Sequence, residues 1–241
     1  MKRCTRLALL CLLVCAALSA QDMRGLKSVR LVNDQGREVQ LYEGSYALLI
    51  GVSDYTHGWP KLPGVRQDVA AVEEVLKEHG FATTTVIDPN RSALVQAFDR
   101  FINQYGQGVE NRLLIYFAGH GHTITQSYGD KMGYIVPADA PDPNVDPGGF
   151  LARSLDLQMI EVYSKRIQSK HALFLFDSCF SGSLMSQCRA MPSDISYKAS
   201  RPTRQYITAG SENEEVPDDS VFRAQFVQAL GRAGDLNQDG Y

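Results

Sequence analysis

Uninterrupted apolar runs alternate with segments of helical spacing along most of the chain. Tyr46–Val52, Leu113–Phe117 and Ala172–Phe176 are continuously apolar, and the last runs straight into Asp177-Ser178, the pattern of strands covered on both faces in a parallel sheet. Between the first two, Val69, Val72, Val75 and Leu76 recur at helical spacing, so Val65–His79 predicts a helix stopped by Gly80. Thr83–Ile87 predicts a strand, and Asp88-Pro89-Asn90 caps a helix reaching Tyr105. Ahead of these, Ser28–Leu31 and Glu38–Leu41 flank the turn signal Asn33-Asp34-Gln35-Gly36 and predict a small hairpin.

Beyond His122 the pattern loosens. Thr123–Gly133 reads as a mobile loop, Tyr134–Val136 as a short strand, and Pro137–Gly149 as a Pro- and Asp-rich excursion beside the site. Ser154 is the expected N-cap of a helix running to Gln168. Met185–Arg204 reads as an irregular basic loop suited to processing or substrate binding, Tyr206–Ala209 as the last strand and Val221–Leu230 as the last helix. Strands alternating with helices imply right-handed crossovers, hence an α/β domain with a mostly parallel central sheet and helices on both faces.

The chemistry sits where the apolar runs end. Ala172–Phe176 leads into Asp177-Ser178-Cys179-Phe180-Ser181-Gly182, and Leu113–Phe117 into Ala118-Gly119-His120-Gly121-His122. Reaction sites of parallel sheets lie beyond the carboxyl ends of the strands. A thiol becomes a good nucleophile once an imidazole takes its proton, and the imidazole can return that proton to a leaving amine. Gly119 and Gly121 leave His120 without bulky neighbours, and the amides of Gly121 and Cys179 are candidate donors to a developing oxyanion. A free cysteine is by itself usually a small buried hydrophobe; the strand-end setting and the partner motif favour the nucleophile.

Tyr116-Phe117-Ala118-Gly119-His120-Gly121, followed by Asp177-Ser178-Cys179-Phe180-Ser181-Gly182, resembles the paired signature of the caspase-like cysteine peptidases, closest to the metacaspase and bacterial branch. The likeness runs from Tyr46 to the last residues. It implies a caspase-like fold, a catalytic dyad of His120 and Cys179 with His122 only a neighbour, and a pocket for a substrate Arg or Lys built by Asp68 and Asp177. Charge-assisted pairing of a guanidinium with carboxylates is strong and geometrically selective. Val65, Ala118 and Phe180 depart from the cysteine, serine and histidine common in relatives, which bears on selectivity more than on chemistry. Taken alone, Asp68 is also a first-turn helix carboxylate and Asp177 a turn cap.

Lys2, Arg3 and Arg6 precede the apolar stretch Leu7–Leu18 and the small residues Ser19-Ala20. This predicts a signal peptide over residues 1–20, a secreted or periplasmic mature protein and no stable membrane span after cleavage. Residues 21–45 then form an extension with the hairpin, and 46–241 the peptidase domain, expected to be truncated at its end. Three of the five cysteines leave with the signal. Cys179 and Cys188 remain, and an oxidising compartment makes a disulfide between them the alternative to a free nucleophile.

A net charge of −3, with no basic stripe interleaved with aromatics, argues against nucleic acid. No cofactor is required for the chemistry. Calcium is a candidate activator on two features: Asp235–Tyr241, which opens like an EF-hand loop but ends before the late glutamate, and an acidic cluster that the resemblance implies, for which Asp139, Asp142 and Asp146 are candidates by composition. The expected partners are proteins or peptides bearing basic residues. The expected function is a cysteine endopeptidase cutting after Arg or Lys through an acyl-enzyme. The competing one is a catalytically silent caspase-like module that binds partners.

Overall fold

The computed structural model describes residues 30–32, 38–179, 202–210 and 220–231, with side chains at 41–178, 202–209 and 220–231. The expected signal segment 1–20, the stretch 180–201 with Cys188 and the disulfide weighed for it, and the acidic stretch 235–241 lie outside the described residues.

A short antiparallel pair, β1 (Arg30–Val32) and β2 (Glu38–Gln40), leads the chain where the turn signal puts a hairpin. The main sheet holds β3 (Gly44–Gly51), β4 (Ala82–Ile87), β5 (Asn111–Ala118), β9 (His171–Cys179) and β10 (Thr203–Gly210), all parallel, in the order β10-β9-β5-β3-β4. The chain runs from β3 out to β4 and returns to β5 on the other side of β3. The strand order therefore reverses between β3 and β5, where ligand crevices of open α/β sheets form.

Alternation along the strands explains their unbroken apolar character. Ala47, Leu49, Leu114, Tyr116 and Leu175 face one side and pack against Val65, Val69, Val72 and Leu76 of α1 (Val65–Glu78). Phe222 and Phe226 of α5 (Val221–Leu230) pack on that face too. Leu48, Ile50, Ile115, Phe117, Phe174 and Phe176 face the other side, toward α2 (Arg91–Tyr105) and α4 (Leu157–Arg166), where Phe98 stacks on Tyr163 at 4.8 Å. Strand β4 is an edge and carries exposed threonines instead.

Several local expectations are corrected. The segment read as a loop after His122 is a hairpin of β6 (Gly121–Thr125) and β7 (Lys131–Ile135), which with β8 (Leu155–Asp156) makes a second antiparallel sheet. Gly129 closes its turn at φ +97°. The excursion before Ser154 ends in α3 (Pro147–Arg153), N-capped by Asp146. Ser154 is the C-cap of that helix, and Asp156 caps α4 by accepting from the Met159 amide at 2.9 Å. Ser154 and the two residues of β8 separate the helices, and pairing with β7 places the start of α4 after Asp156. Arg204 is no loop residue: β10 begins at Thr203, and the Arg204 guanidinium donates to the carbonyls of Ser164, Ile167 and Lys170.

Candidate active site

Strands β5 and β9 are neighbours, with Arg112 opposite His171 and Ala118 opposite Asp177. His120 and Cys179 each stand two residues past that last pair. Contact continues beyond it: Gly119 donates its amide to Asp177 O at 3.4 Å, and the Ser178 hydroxyl donates to Gly119 O. Adjacent strands run about 5 Å apart, so the two motifs end side by side at the carboxyl edge of the sheet. Strand β9 reaches Cys179, three residues beyond the apolar run, because it is paired on both flanks, with Cys179 opposite Gly210 of β10.

The loop after β3 wraps the histidine. It is closed by the Leu62 amide on Ser53 O at 2.9 Å and tied to the end of β4 by Asp88, whose Oδ1 accepts from the amides of Ser53 and Asp54 at 2.6 and 2.9 Å. Asp88 thus serves this loop, while Asn90 alone caps α2. From the loop come Tyr55, Trp59 and Pro60. The carbonyl oxygen of Pro60 lies 2.8 Å from His120 Nε2. A carbonyl only accepts, so the proton sits on Nε2 and Nδ1 keeps its lone pair. Rings of Tyr55 and Trp59 lie 4.7 and 5.1 Å from the imidazole. Burial lowers the His120 pKa below its ordinary value, against the opposing pull of the Pro60 carbonyl. The imidazole is therefore neutral at pH 7.

Tyr55 does a second job. Its hydroxyl accepts from the His120 amide at 2.7 Å and donates to Val136 O at 3.4 Å, bridging the two where the β6–β7 ladder opens. Gly119 makes room for it: a Cβ there would stand 2.8 Å from the Tyr55 oxygen, at φ +155°. The glycine expected from sequence to leave His120 without a bulky neighbour is needed for this internal contact. The Val136 amide donates to His120 O at 3.1 Å, so the next pair, Gly121 with Ile135, is an open one, and the Gly121 amide points away from β7.

Asp68 and Asp177 are brought together on the α1 face, 4% and 5% exposed. Asp177 Oδ2 accepts from Tyr116 at 2.9 Å and from Ser220 at 2.5 Å; Asp68 Oδ1 accepts from Arg223 Nε at 2.7 Å. Burial raises the Asp177 pKa, opposed by its bonds to Ser220 and Tyr116 and by the Arg223 charge. Asp177 lies inside β9, so it is not a turn cap. Arg223, Ser220, Tyr55 and Trp59 escaped the sequence reading. They lie far from both motifs in the chain, and only the absence of a simpler role for a tyrosine and tryptophan between strand and helix could have signalled the last two.

The remaining candidates stay apart. The His122 ring packs on Trp59 and Phe150, a neighbour of the site. Asp139 accepts from the Arg91 amide, Asp142 from Asn144 and Asp146 from the Gly149 amide. Among the described residues no three His, Cys, Asp or Glu side chains converge as a metal site, so the Asp139, Asp142 and Asp146 calcium cluster is not formed there. No helix among them is long and apolar enough to cross a membrane.

A family model for the caspase domain matches residues 45–235. The human mucosa-associated lymphoid tissue lymphoma translocation protein 1 is 29% identical over 149 residues, 61% of this chain and 16% of that protein. The chain thus matches only a small part of that relative's length. Solved structures similar to it include caspase-1 from Spodoptera frugiperda (13% identity, TM-score 0.48, 79% of this chain and 69% of that one). The Drosophila initiator caspase Dronc is another (12%, TM-score 0.41, 64% and 57%).

Proposed function

Because the chain belongs to the caspase-domain family, whose kind is the cysteine peptidase, we propose that it is a secreted cysteine endopeptidase that cuts protein or peptide substrates after Arg or Lys. The observation that supports this reading is the in-register pairing of β5 and β9 up to Ala118 opposite Asp177, with His120 and Cys179 each two residues beyond that pair.

In the proposed reaction His120 Nδ1 takes the Cys179 proton, leaving Nε2–H on the Pro60 carbonyl throughout. The thiolate adds to the scissile carbonyl carbon, and the new oxyanion is met by the amides of Gly121 and Cys179. The C–N bond breaks as the imidazolium returns its proton to the departing amine. Water, deprotonated by the same imidazole, then hydrolyses the thioester and restores the thiol. A neutral resting imidazole suits the first step, and its partly buried setting supports that state. The Asp68–Asp177 pair would hold the substrate cation.

Purified mature protein incubated under reducing conditions with fluorogenic peptides carrying Arg, Lys or Asp before the scissile bond tests this. Turnover of the basic peptides, lost in Cys179→Ala, is expected. No turnover of any peptide would leave a binding module in its place. N-terminal sequencing of secreted protein beginning at Gln21 tests the export.

A further inference from the structure

The first turn of α5 docks on both carboxylates of the pocket. Ser220 caps the helix by accepting from the Arg223 amide at 2.9 Å while its hydroxyl donates to Asp177 Oδ2. The Arg223 guanidinium lies on Asp68, the same chemical group that a substrate arginine would bring. Asp177 Oδ1 is buried and has no hydrogen-bond partner among the described residues. A carboxylate oxygen accepts more than one donor, and a buried acceptor left unmet is costly. One oxygen of the pair is thus open, and the other carboxylate is already engaged.

We propose that Arg223 is a specificity-determining residue of this pocket: it holds Asp68 as an internal stand-in for a substrate's basic side chain, which enters at Asp177 Oδ1 and displaces Arg223 to gain Asp68. The proposal rests on the peptidase reading. Exchange of one guanidinium for another keeps the buried carboxylate paired, so the swap avoids stranding a charge. The helix that carries Arg223 has no fully buried side chain, and its apolar residues are only partly covered. Its hold on the body therefore leans on the polar first turn. The built-in competitor weakens binding of any basic side chain that lacks support from the rest of its peptide.

Arg223→Ala and Arg223→Lys are compared with wild type on Arg, Lys and Asp peptides, and each is melted with and without methylguanidinium chloride. Expected for Arg223→Ala is a KM for basic peptides lower by at least about tenfold, the worth of one charge-assisted hydrogen bond, with no gain on the Asp peptide. Arg223→Lys, which keeps a cation by Asp68, shifts KM less. Methylguanidinium raises the Tm of Arg223→Ala and leaves wild type unmoved. Unchanged or higher KM in folded Arg223→Ala, or a variant that does not fold even with methylguanidinium, overturns the proposal and makes Arg223 a structural cation. Wild type inert on every peptide, with Arg223→Ala still rescued by methylguanidinium, defeats the peptidase reading and leaves the pocket's occupant assigned.

Discussion

The hydroxyl of Tyr55 stands between the amide of His120, 2.7 Å away, and the carbonyl of Val136, linking the candidate base to the second sheet through one oxygen. Tyr55 is 3% exposed, so neither backbone group has water to turn to if that oxygen is removed.

Tyr55→Phe should therefore cost about 1–3 kcal/mol of stability, the penalty of stranding buried polar groups. If the proposed peptidase reading holds, it should lower kcat more than it raises KM, because it loosens the histidine and not the proposed Asp68–Asp177 pocket. Urea unfolding and steady-state kinetics on a basic peptide check both.

Gly119→Ala should be strongly destabilising, since its Cβ would meet the Tyr55 oxygen at 2.8 Å. Combined with Tyr55→Phe, the total loss should fall short of the sum of the single losses, because removing the oxygen relieves the contact. A double-mutant cycle by urea unfolding measures that coupling; strict additivity would show that the two do not compete for the same space.

Burial depresses the His120 pKa, which fixes two pH effects of the same sign. The proposed base, His120, is competent when neutral, so kcat/KM should hold through neutral pH and fall on an acid limb lying below the ordinary histidine value of about 6.5. The unfolded chain takes up the His120 proton at higher pH than the folded one. This group's effect on stability is therefore absent above about pH 6.5 and turns destabilising as pH falls through that value toward the folded pKa. Replacing His120 with Gln should flatten that part of the stability profile, followed by Tm across pH 5–8.

The two capping assignments separate cleanly. Asp156→Ala should cost about 1 kcal/mol by removing the acceptor of the Met159 amide. Ser154→Ala should be neutral or stabilising, since the Ser154 hydroxyl is buried with no hydrogen-bond partner among the described residues. Chemical denaturation of both variants decides between Asp156 and Ser154 as the residue that starts α4.

Much of the fold was legible in one dimension because burial leaves a local trace. Strands covered on both faces must be apolar at every position, as Tyr46–Val52 and Ala172–Phe176 are, and helices on one face must repeat every three to four residues, as α1 does. The β6–β7 hairpin left no such trace: Gly121-His122-Thr123-Ile124-Thr125 has no continuous apolar face. It is a strand because Lys131–Ile135 lies beside it, a gain outside its own composition. The same reason hid the cap of α4, since β8 exists only through its pairing with β7.

The chain by itself determined which chemical groups are available and that a thiol and an imidazole each follow an unbroken apolar run by three residues, because those are properties of residue order. Only the tertiary structure decided that β5 and β9 are neighbours in register, that the Pro60 carbonyl selects the tautomer of His120, and that Arg223 rests on Asp68 from 155 positions away. Such contacts depend on distances across space between groups remote in the chain, and no local pattern of polarity encodes them.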